Sequence, residues 1–204
     1  MRILKAELDN VRIAAQRVKD GGLIIYPTDT VYGLGCDPFN IEAVKRAFQA
    51  KGERKKPLPV LASDMRHVEE IASLSEGARR VASQFWPGQL TIVIPKKSVL
   101  PNIVTCNQNS VGVRIPRHDI ALQLIRLSGG LLTGTSANKT GEKPPKTAYE
   151  AAEQLGRDVD IILDGGPATL GISSTVVDLT TEKPKILRRG PVKLKDVMVV
   201  LSPR

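Results

Sequence analysis

The chain has 204 residues, of which 41% are hydrophobic and 25% are charged, a composition that excludes a largely disordered protein. Its formal net charge of +9 favours polyanionic partners such as nucleotides or RNA, although a basic surface can also serve solubility alone. No apolar stretch approaches the roughly 20 residues that cross a bilayer, so we expect a cytoplasmic protein without a membrane partner.

Cysteine usage and length limit the remaining classes. The two cysteines, Cys36 and Cys106, form no CxxC or Cys/His pattern, which indicates neither a metal site nor a disulfide framework. A chain of this length lies in the usual size range of one domain. We therefore expect a single domain over residues 1–204, with no protein-bound metal.

Short apolar runs alternate with amphipathic stretches, a pattern that predicts an α/β fold in which helices cover a mostly parallel or mixed sheet. We expect one larger sheet to hold most of the strands. The predicted helices are residues 10–19, 40–50 with Asn40 as the cap, 63 or 64 to 72, 76–85, 119–127 and 147–155. The predicted strands are residues 23–26, 58–61, 91–94, 110–115, 131–135, 160–163, 175–179 and 185–187.

The common catalytic and phosphate-binding motifs are absent. The sequence contains no GxxxxGK[ST], GxGxxG after a strand, GxSxG or HExxH pattern, so phosphate binding needs another device. Two segments concentrate groups that can bind a ligand. YPTDTVYGLG at residues 26–35 combines small hydroxyls with glycines, although a tight structural turn uses the same residues. KGERKKPL at residues 51–58 carries four cations that can hold phosphates, with a solvated loop as the ordinary alternative.

Three later segments place polar groups at the ends of predicted strands, where open α/β sheets commonly bind ligands. GTSANKTG (134–141) contains Ser136 and Asn138, which can orient phosphate oxygens or cap a helix. GISSTVVDLT (171–180) contains Ser174, and ILRRG (186–190) contains Arg188, a cation that can neutralise a phosphate. Each segment alone is unspecific.

In their order and spacing, the five segments resemble the YrdC-like family of threonylcarbamoyl-AMP synthases. Further segments resembling family signatures are FWPGQLTIVIP (85–95), VGVRIPRH (111–118) and ILDGGP (162–167), so that the matches span residues 22–190. The resemblance implies a single-domain YrdC-like fold: one twisted mixed sheet, flanked by helices, with a large open substrate cavity. It also implies the short form, without the additional C-terminal domain of some relatives.

The resemblance implies an enzyme, a nucleotidyltransferase that makes L-threonylcarbamoyl-adenylate from L-threonine, bicarbonate and ATP. The threonine amine captures bicarbonate as a carbamate, whose oxygen attacks the α-phosphate of ATP and expels pyrophosphate. Mg²⁺ is the expected cofactor, because a triphosphate normally reacts as its metal complex. The product serves threonylcarbamoyl-adenosine modification of tRNA, so the implied partners include the machinery that transfers the threonylcarbamoyl group.

The resemblance also assigns roles to individual residues. Thr30, Arg114 and Ser174 match positions that contact threonine. The residues implied in catalysis are Lys51, Arg54, Ser136 and Asn138. Those implied in ATP binding are Lys51, Arg54, Lys56, Ser136, Asn138 and Arg188.

Two positions depart from the family pattern. The family places a lysine and an arginine one residue apart, whereas Lys51 is followed by arginine only at Arg54, in a loop one residue shorter. We expect Arg54 to replace the family arginine. Leu61 occupies the place of a family histidine, so one threonine contact is expected to be absent or replaced.

Two other functions stay open at this point. The net charge and the basic groups at residues 54–56, 96–97 and 188–189 fit an RNA-binding module, although aromatic residues make up only 3% of the chain and offer few stacking partners for bases. The second open function is transfer of a carbamoyl group from a carbamoyl-adenylate, because larger carbamoyltransferases contain a similar domain. The short chain and the missing zinc pattern count against it.

Overall fold

A computed structural model describes residues 2–52 and 56–202. Its helices are α1 (Leu8–Lys19), α2 (Ile41–Ala50), α3 (Met65–Ile71), α4 (Glu76–Phe85), α5 (Asp119–Leu127), α6 (Ala148–Leu155) and α7 (Leu194–Leu201), with a 3₁₀ turn at Gly156–Asp158. Its strands are β1 (Arg2–Lys5), β2 (Ile24–Tyr26), β3 (Gly33–Gly35), β4 (Val60–Ala62), β5 (Leu90–Pro95), β6 (Ser110–Arg114), β7 (Leu131–Thr133), β8 (Thr135–Ser136), β9 (Ile161–Asp164), β10 (Thr175–Asp178) and β11 (Lys185–Arg188). This mixture confirms the predicted α/β class.

The predicted helices are present, and polar side chains fix where several of them begin. Asn40 caps α2 by accepting a hydrogen bond from the backbone N–H of Ala43 at 3.0 Å, as predicted. Of the two candidate caps of α3, Asp64 is the one that accepts, from His67 N–H at 3.1 Å. Each cap satisfies a backbone donor that the first helical turn leaves unpaired.

The described strands form two mixed sheets, which corrects the expectation of one larger sheet. One has the order β1-β9-β2-β3-β8, and the other has the order β11-β10-β5-β6-β4-β7. Helix α1 packs on α5 and β9, while α4 packs on α7 and β5. In the described part of the chain, no helix has the length and apolar character needed to span a membrane.

The sheets separate at Gly134, inside the strand predicted for residues 131–135. Residues before Gly134 pair with β4, and those after it pair with β3. A side chain at Gly134 would overlap Leu61, because a Cβ atom there would lie 2.4 Å from the Leu61 Cγ. The backbone N–H of Gly134 instead donates to the Pro59 carbonyl at 2.8 Å. The chain therefore crosses between the sheets where it packs tightly against Pro59 and Leu61.

Hydrogen bonds between Cys36 and Thr133 join the two sheets beside this break. The Thr133 N–H donates to the Cys36 carbonyl, and the Cys36 N–H donates to Thr133 Oγ1, both at 2.9 Å. The loop after β2, β4, the end of β6 and β8 line one pocket beside these hydrogen bonds. Three of the candidate site residues, Thr30, Arg114 and Ser136, come from these elements.

Three elements were not predicted. Strand β1 has only four residues, too few for a distinctive alternation of apolar and polar residues. It pairs in parallel with β9 at the edge of its sheet. The sequence of β3 is Gly-Leu-Gly, which has low intrinsic strand propensity. Helix α7 is rich in valine, and its packing against α4 outweighs that β-branched bias.

Candidate active site

One row of residues crosses the six-stranded sheet and carries much of the candidate site. Leu61 on β4 is the register partner of Arg114 on β6. On the other side, Thr91 on β5 pairs with Val176 on β10, which pairs with Arg188 on β11. Extending the antiparallel register of β5 and β6 by one residue beyond Ile92 and Val113 places Thr91 opposite Arg114. Paired residues share a face of the sheet, so Arg114 and Arg188 project from one face. Their backbones are three strand spacings apart, which is about 14 Å at the usual spacing of about 4.8 Å.

Arg114 is buried and held by three acceptors from two segments. Its Nε donates to the Gly88 carbonyl at 2.7 Å, its Nη1 donates to Thr30 Oγ1 at 3.0 Å, and its Nη2 donates to the Asp29 carboxylate. Arg114 and Asp29 are only 4% and 5% exposed. Burial lowers the pKa of Arg114, and the charge of Asp29 opposes that shift. A guanidinium has five N–H groups, so one on each terminal nitrogen remains for a substrate carboxylate.

The loop between β2 and β3 is fixed by its own hydroxyls. Thr28 Oγ1 donates to the Val31 carbonyl at 2.7 Å and accepts from the Thr30 N–H at 3.1 Å, and it lies 2.9 Å from Thr30 Oγ1. Asp29 Oδ2 is buried and has no hydrogen-bond partner among the described residues. The loop thus presents Thr30 and Asp29 to Arg114 in a preset geometry.

Ser174 and Arg188 form the opposite end of the site. Arg188 donates from Nε to the Ser174 carbonyl and from Nη2 to Ser174 Oγ, both at 2.9 Å. The Ser174 hydroxyl also lies 2.8 Å from Thr91 Oγ1. Ser174 is buried immediately before β10, so the guanidinium of Arg188 is held beside the start of that strand.

A pocket and an adjoining groove occupy this face of the sheet. The pocket has a volume of about 60 Å³ and is lined by Thr30, Arg114, Ser136, Ser174 and Arg188, which are five of the predicted site residues. The groove has a volume of about 460 Å³, within the roughly 300–1,000 Å³ typical of ligand sites.

The pocket and the groove lie next to each other, because Pro59 and Arg188 line both of them. Lys56 lies on the groove. Leu61, the departure from the family histidine, lines the pocket beside Arg114 and gives it an apolar wall. In the described part of the chain, the expected large cavity therefore takes the form of two adjoining spaces.

Lys51 lies behind the pocket, under the loop that carries Ser136 and Asn138. Its ammonium group donates to the Ser136 carbonyl at 2.6 Å and to the Asn138 carbonyl at 2.5 Å, and the residue is only 1% exposed. The Lys51 carbonyl in turn accepts from Thr140, from N–H at 3.1 Å and from Oγ1 at 2.8 Å. Lys51 thus ties the end of α2 to the loop.

Asn138 is folded onto the same loop. Its Nδ2 donates to the carbonyls of Lys139 and Glu142 at 2.7 and 2.8 Å, and its buried Oδ1 has no partner among the described residues. The structure therefore places Lys51 and Asn138 next to Ser136 but behind the pocket lining. Arg54 lies outside the described residues, so its role stays a prediction.

Sequence reasoning missed several residues at the site. Asp29 holds Arg114, Thr91 contacts Ser174, and Tyr32 lines the pocket. The ILDGGP segment explains the position of Tyr32, whose hydroxyl donates to the Gly166 carbonyl at 2.6 Å and accepts from the Gly165 N–H at 3.2 Å. Burial is the main cause of the raised pKa of Tyr32, which is about 12. The Tyr32 side chain is therefore a neutral phenol at neutral pH.

Comparisons with known proteins give the site a context. A threonylcarbamoyl-AMP synthase of Pyrococcus abyssi is 40% identical to this chain over 194 residues, which are 94% of this chain and 57% of the relative. One of Thiobacillus denitrificans is 37% identical over 168 residues, 81% of this chain and 89% of the relative. The chain therefore spans little more than half of the Pyrococcus relative and most of the Thiobacillus one.

A solved structure shares the fold. The crystal structure of P. abyssi Sua5 complexed with L-threonine superposes with a TM-score of 0.92 and 39% identity, covering 98% of this chain and 59% of that one. The model of the Sua5/YciO/YrdC family, which carries the description telomere recombination, matches residues 16–190. The matched range includes the loop after β2, the row across the larger sheet and the loop over Lys51. This chain belongs to the Sua5/YciO/YrdC family.

Proposed function

We propose that this protein is a nucleotidyltransferase that forms L-threonylcarbamoyl-adenylate from L-threonine, bicarbonate and ATP, with release of pyrophosphate. The observation that carries the proposal is the row that sets Arg114 and Arg188 at opposite ends of one face, with hydroxyl groups between them. Two cations with intervening hydroxyls suit two anionic substrates that meet between them. The names of the relatives, and the threonine bound by one of them, support the same assignment.

The Arg114 end is the proposed threonine site. Arg114 keeps an N–H on each terminal nitrogen beyond its bonds to Thr30, Asp29 and Gly88, and these two N–H groups suit a carboxylate. The pocket of about 60 Å³ is small, as expected for an amino acid side chain. Thr30 beside Arg114, and Ser174, which lines the same pocket from the Arg188 end, contribute hydroxyls that can recognise the hydroxyl of threonine. Leu61 contributes apolar surface for its methyl group.

The groove at the Arg188 end is the proposed nucleotide site. Lys56 and Arg188 both line it, and each can neutralise phosphate oxygens. Ser136 reaches the pocket from β8, beside the α-phosphate in this arrangement. We assign Lys51, Asn138 and Arg54 to the same part of the reaction, the first two through the loop that they hold in place.

The proposed reaction has two bond-forming steps. The threonine amine attacks the bicarbonate carbon, and loss of water gives a carbamate. A carbamate oxygen then attacks the α-phosphorus of ATP, and the bond from that phosphorus to the pyrophosphate oxygen breaks. Fixed cations that face the charge developing on phosphoryl oxygens lower the barrier, because they need no reorganisation during the reaction.

We propose that Mg²⁺ enters as the metal complex of ATP. Among the described residues, no group of three or more His, Cys, Asp or Glu side chains could hold a metal ion. The buried carboxylate near the pocket, Asp29, is bound to Arg114. Mg²⁺ commonly keeps several waters and is held largely by substrate phosphates, which agrees with a site of hydroxyls and cations.

Pyrophosphate release tests the proposed mechanism. We expect release to require both threonine and bicarbonate, because the carbamate is the attacking group. The assay measures pyrophosphate from ATP and Mg²⁺ with each substrate omitted in turn. Equal release in bicarbonate-free buffer would replace this mechanism with a conventional aminoacyl-adenylate reaction. Activity with carbamoyl phosphate would favour the carbamoyltransferase, and RNA binding without pyrophosphate release would favour the RNA-binding module.

Removing the hydroxyl of Ser174 or of Thr30 is expected to weaken threonine use more than ATP use. Each hydroxyl is buried and hydrogen-bonded to an arginine, and loss of such a partner typically costs about 1–3 kcal/mol. The measurement is the KM for threonine and for ATP in Ser174→Ala and Thr30→Ala. Thr181→Ala is a matched control, since that threonine is exposed and does not line the pocket. Wild-type threonine dependence in both site variants would show that the amino acid pocket has been misplaced.

The cellular role follows from the product. We propose that the threonylcarbamoyl group passes to tRNA through a separate transferase in the cytoplasm, since an adenylate is an activated donor that another enzyme consumes.

A further inference from the structure

The hydroxyl of Thr91 lies at the boundary between the pocket and the groove. Thr91 is 2% exposed and lines the groove, while its Oγ1 is 2.8 Å from the hydroxyl of Ser174, which lines the pocket. The sequence places Thr91 within the apolar run Leu-Thr-Ile-Val-Ile of β5. A buried polar side chain in such a run requires a hydrogen-bond partner, and Ser174 is that partner.

The hydrogen bonds of Ser174 limit what its hydroxyl can do. A serine hydroxyl has one hydrogen to donate and two lone pairs that accept. Arg188 is a donor only, and its Nη2 takes one lone pair of Ser174 Oγ at 2.9 Å. If Ser174 gives its hydrogen to Thr91, no hydrogen remains for a substrate. If Thr91 donates instead, the second lone pair is occupied and the Ser174 hydrogen is directed elsewhere.

We propose that Thr91 is a positioning residue that donates to Ser174 when the amino acid is bound, so that the Ser174 hydrogen points at a substrate oxygen. This inference rests on the proposed function. In the pair as it stands, either oxygen can be the donor, so binding requires only that both hydroxyl hydrogens rotate. The cation of Arg188 strengthens the arrangement, because an oxygen that accepts from a charged donor becomes a better donor itself.

The inference predicts a specific kinetic pattern. Thr91→Val keeps the branched shape but removes the donor, so the KM for threonine should rise about five- to tenfold. The KM for ATP should change less, within about twofold, because the Thr91 hydroxyl is engaged with Ser174, which lines the pocket and not the groove. Thr91→Ser retains the hydroxyl and should restore the KM for threonine to within about threefold of the wild type.

A double-mutant cycle with Ser174 tests the route of the effect. In the Ser174→Ala background there is no hydroxyl to orient, so adding Thr91→Val should change the KM for threonine by less than about twofold. Thermal unfolding of each variant shows whether it is folded, and Thr91→Ala replaces Thr91→Val in the cycle if the valine variant does not fold. Calorimetric titration with threonine gives the affinity independently of turnover.

The outcomes separate this inference from the proposed function. The inference is supported if Thr91→Val weakens threonine binding, Thr91→Ser restores it and the cycle is non-additive. If the wild type binds threonine and Thr91→Val binds it equally well, the inference is overturned and the proposed function is unaffected. The same conclusion follows if Thr91→Ser is as impaired as Thr91→Val, or if the effects of Thr91→Val and Ser174→Ala are additive. A wild-type protein that binds no threonine overturns the proposed function and this inference together.

Discussion

Replacing Arg114 with alanine is expected to abolish threonine-dependent pyrophosphate release and to lower the free energy of unfolding by about 3–5 kcal/mol. The loss of activity follows from removing the proposed carboxylate ligand. The loss of stability follows from Asp29, which is 5% exposed and would lose its cationic partner. A buried charge without a partner is strongly destabilising, whereas a pair removed together often costs much less.

The double variant Arg114→Ala with Asp29→Asn separates these two effects. It should recover much of the lost stability, because no uncompensated carboxylate remains, but it should not recover threonine use. Chemical denaturation gives the free energies of unfolding, and titration with ATP checks that the nucleotide site is intact. A normal KM for threonine in either variant would contradict the assignment of Arg114.

Replacing Lys51 or Arg54 with alanine is expected to lower turnover more than tenfold. Arg54 is expected to supply charge stabilisation that grows toward the transition state. Lys51 bonds to the carbonyls of Ser136 and Asn138, so its loss should also release the loop that positions Ser136. The measurement is turnover at saturating ATP and threonine.

Two neighbouring lysines provide the controls for this loop. Lys55→Ala should have little effect, and Lys56→Ala an intermediate one, because Lys56 lies on the groove. An inactive Lys55→Ala beside a fully active Arg54→Ala would reassign the cations of the loop. The family membership of the chain would be unaffected by that result.

Local patterns in the sequence predicted six of the seven described helices and most strands, because caps and apolar periodicity are signals between residues close in the chain. Asn40 begins α2 through a bond to a residue three positions away, and such caps can be read directly from the sequence. The division into two sheets depends instead on Gly134 meeting Leu61, which lies 73 positions earlier. No local pattern reports a contact of that kind.

The site shows the same contrast between local and distant signals. Motif order and family resemblance led to Thr30, Arg114 and Ser174, which the fold brings to one pocket. Asp29 and Thr91 were missed because each acts through a partner more than 80 positions away. A threonine inside an otherwise apolar strand was the available signal for Thr91, since a buried hydroxyl requires a partner.

The most direct test of the proposed function is to look for its product. The purified protein is incubated with ATP, Mg²⁺ and radiolabelled bicarbonate, with each amino acid supplied in turn, and the nucleotides are separated. A labelled adenylate is expected with threonine and none with valine, which has the same branched shape but lacks the hydroxyl. Pyrophosphate release with threonine but without any labelled adenylate would contradict the proposed function.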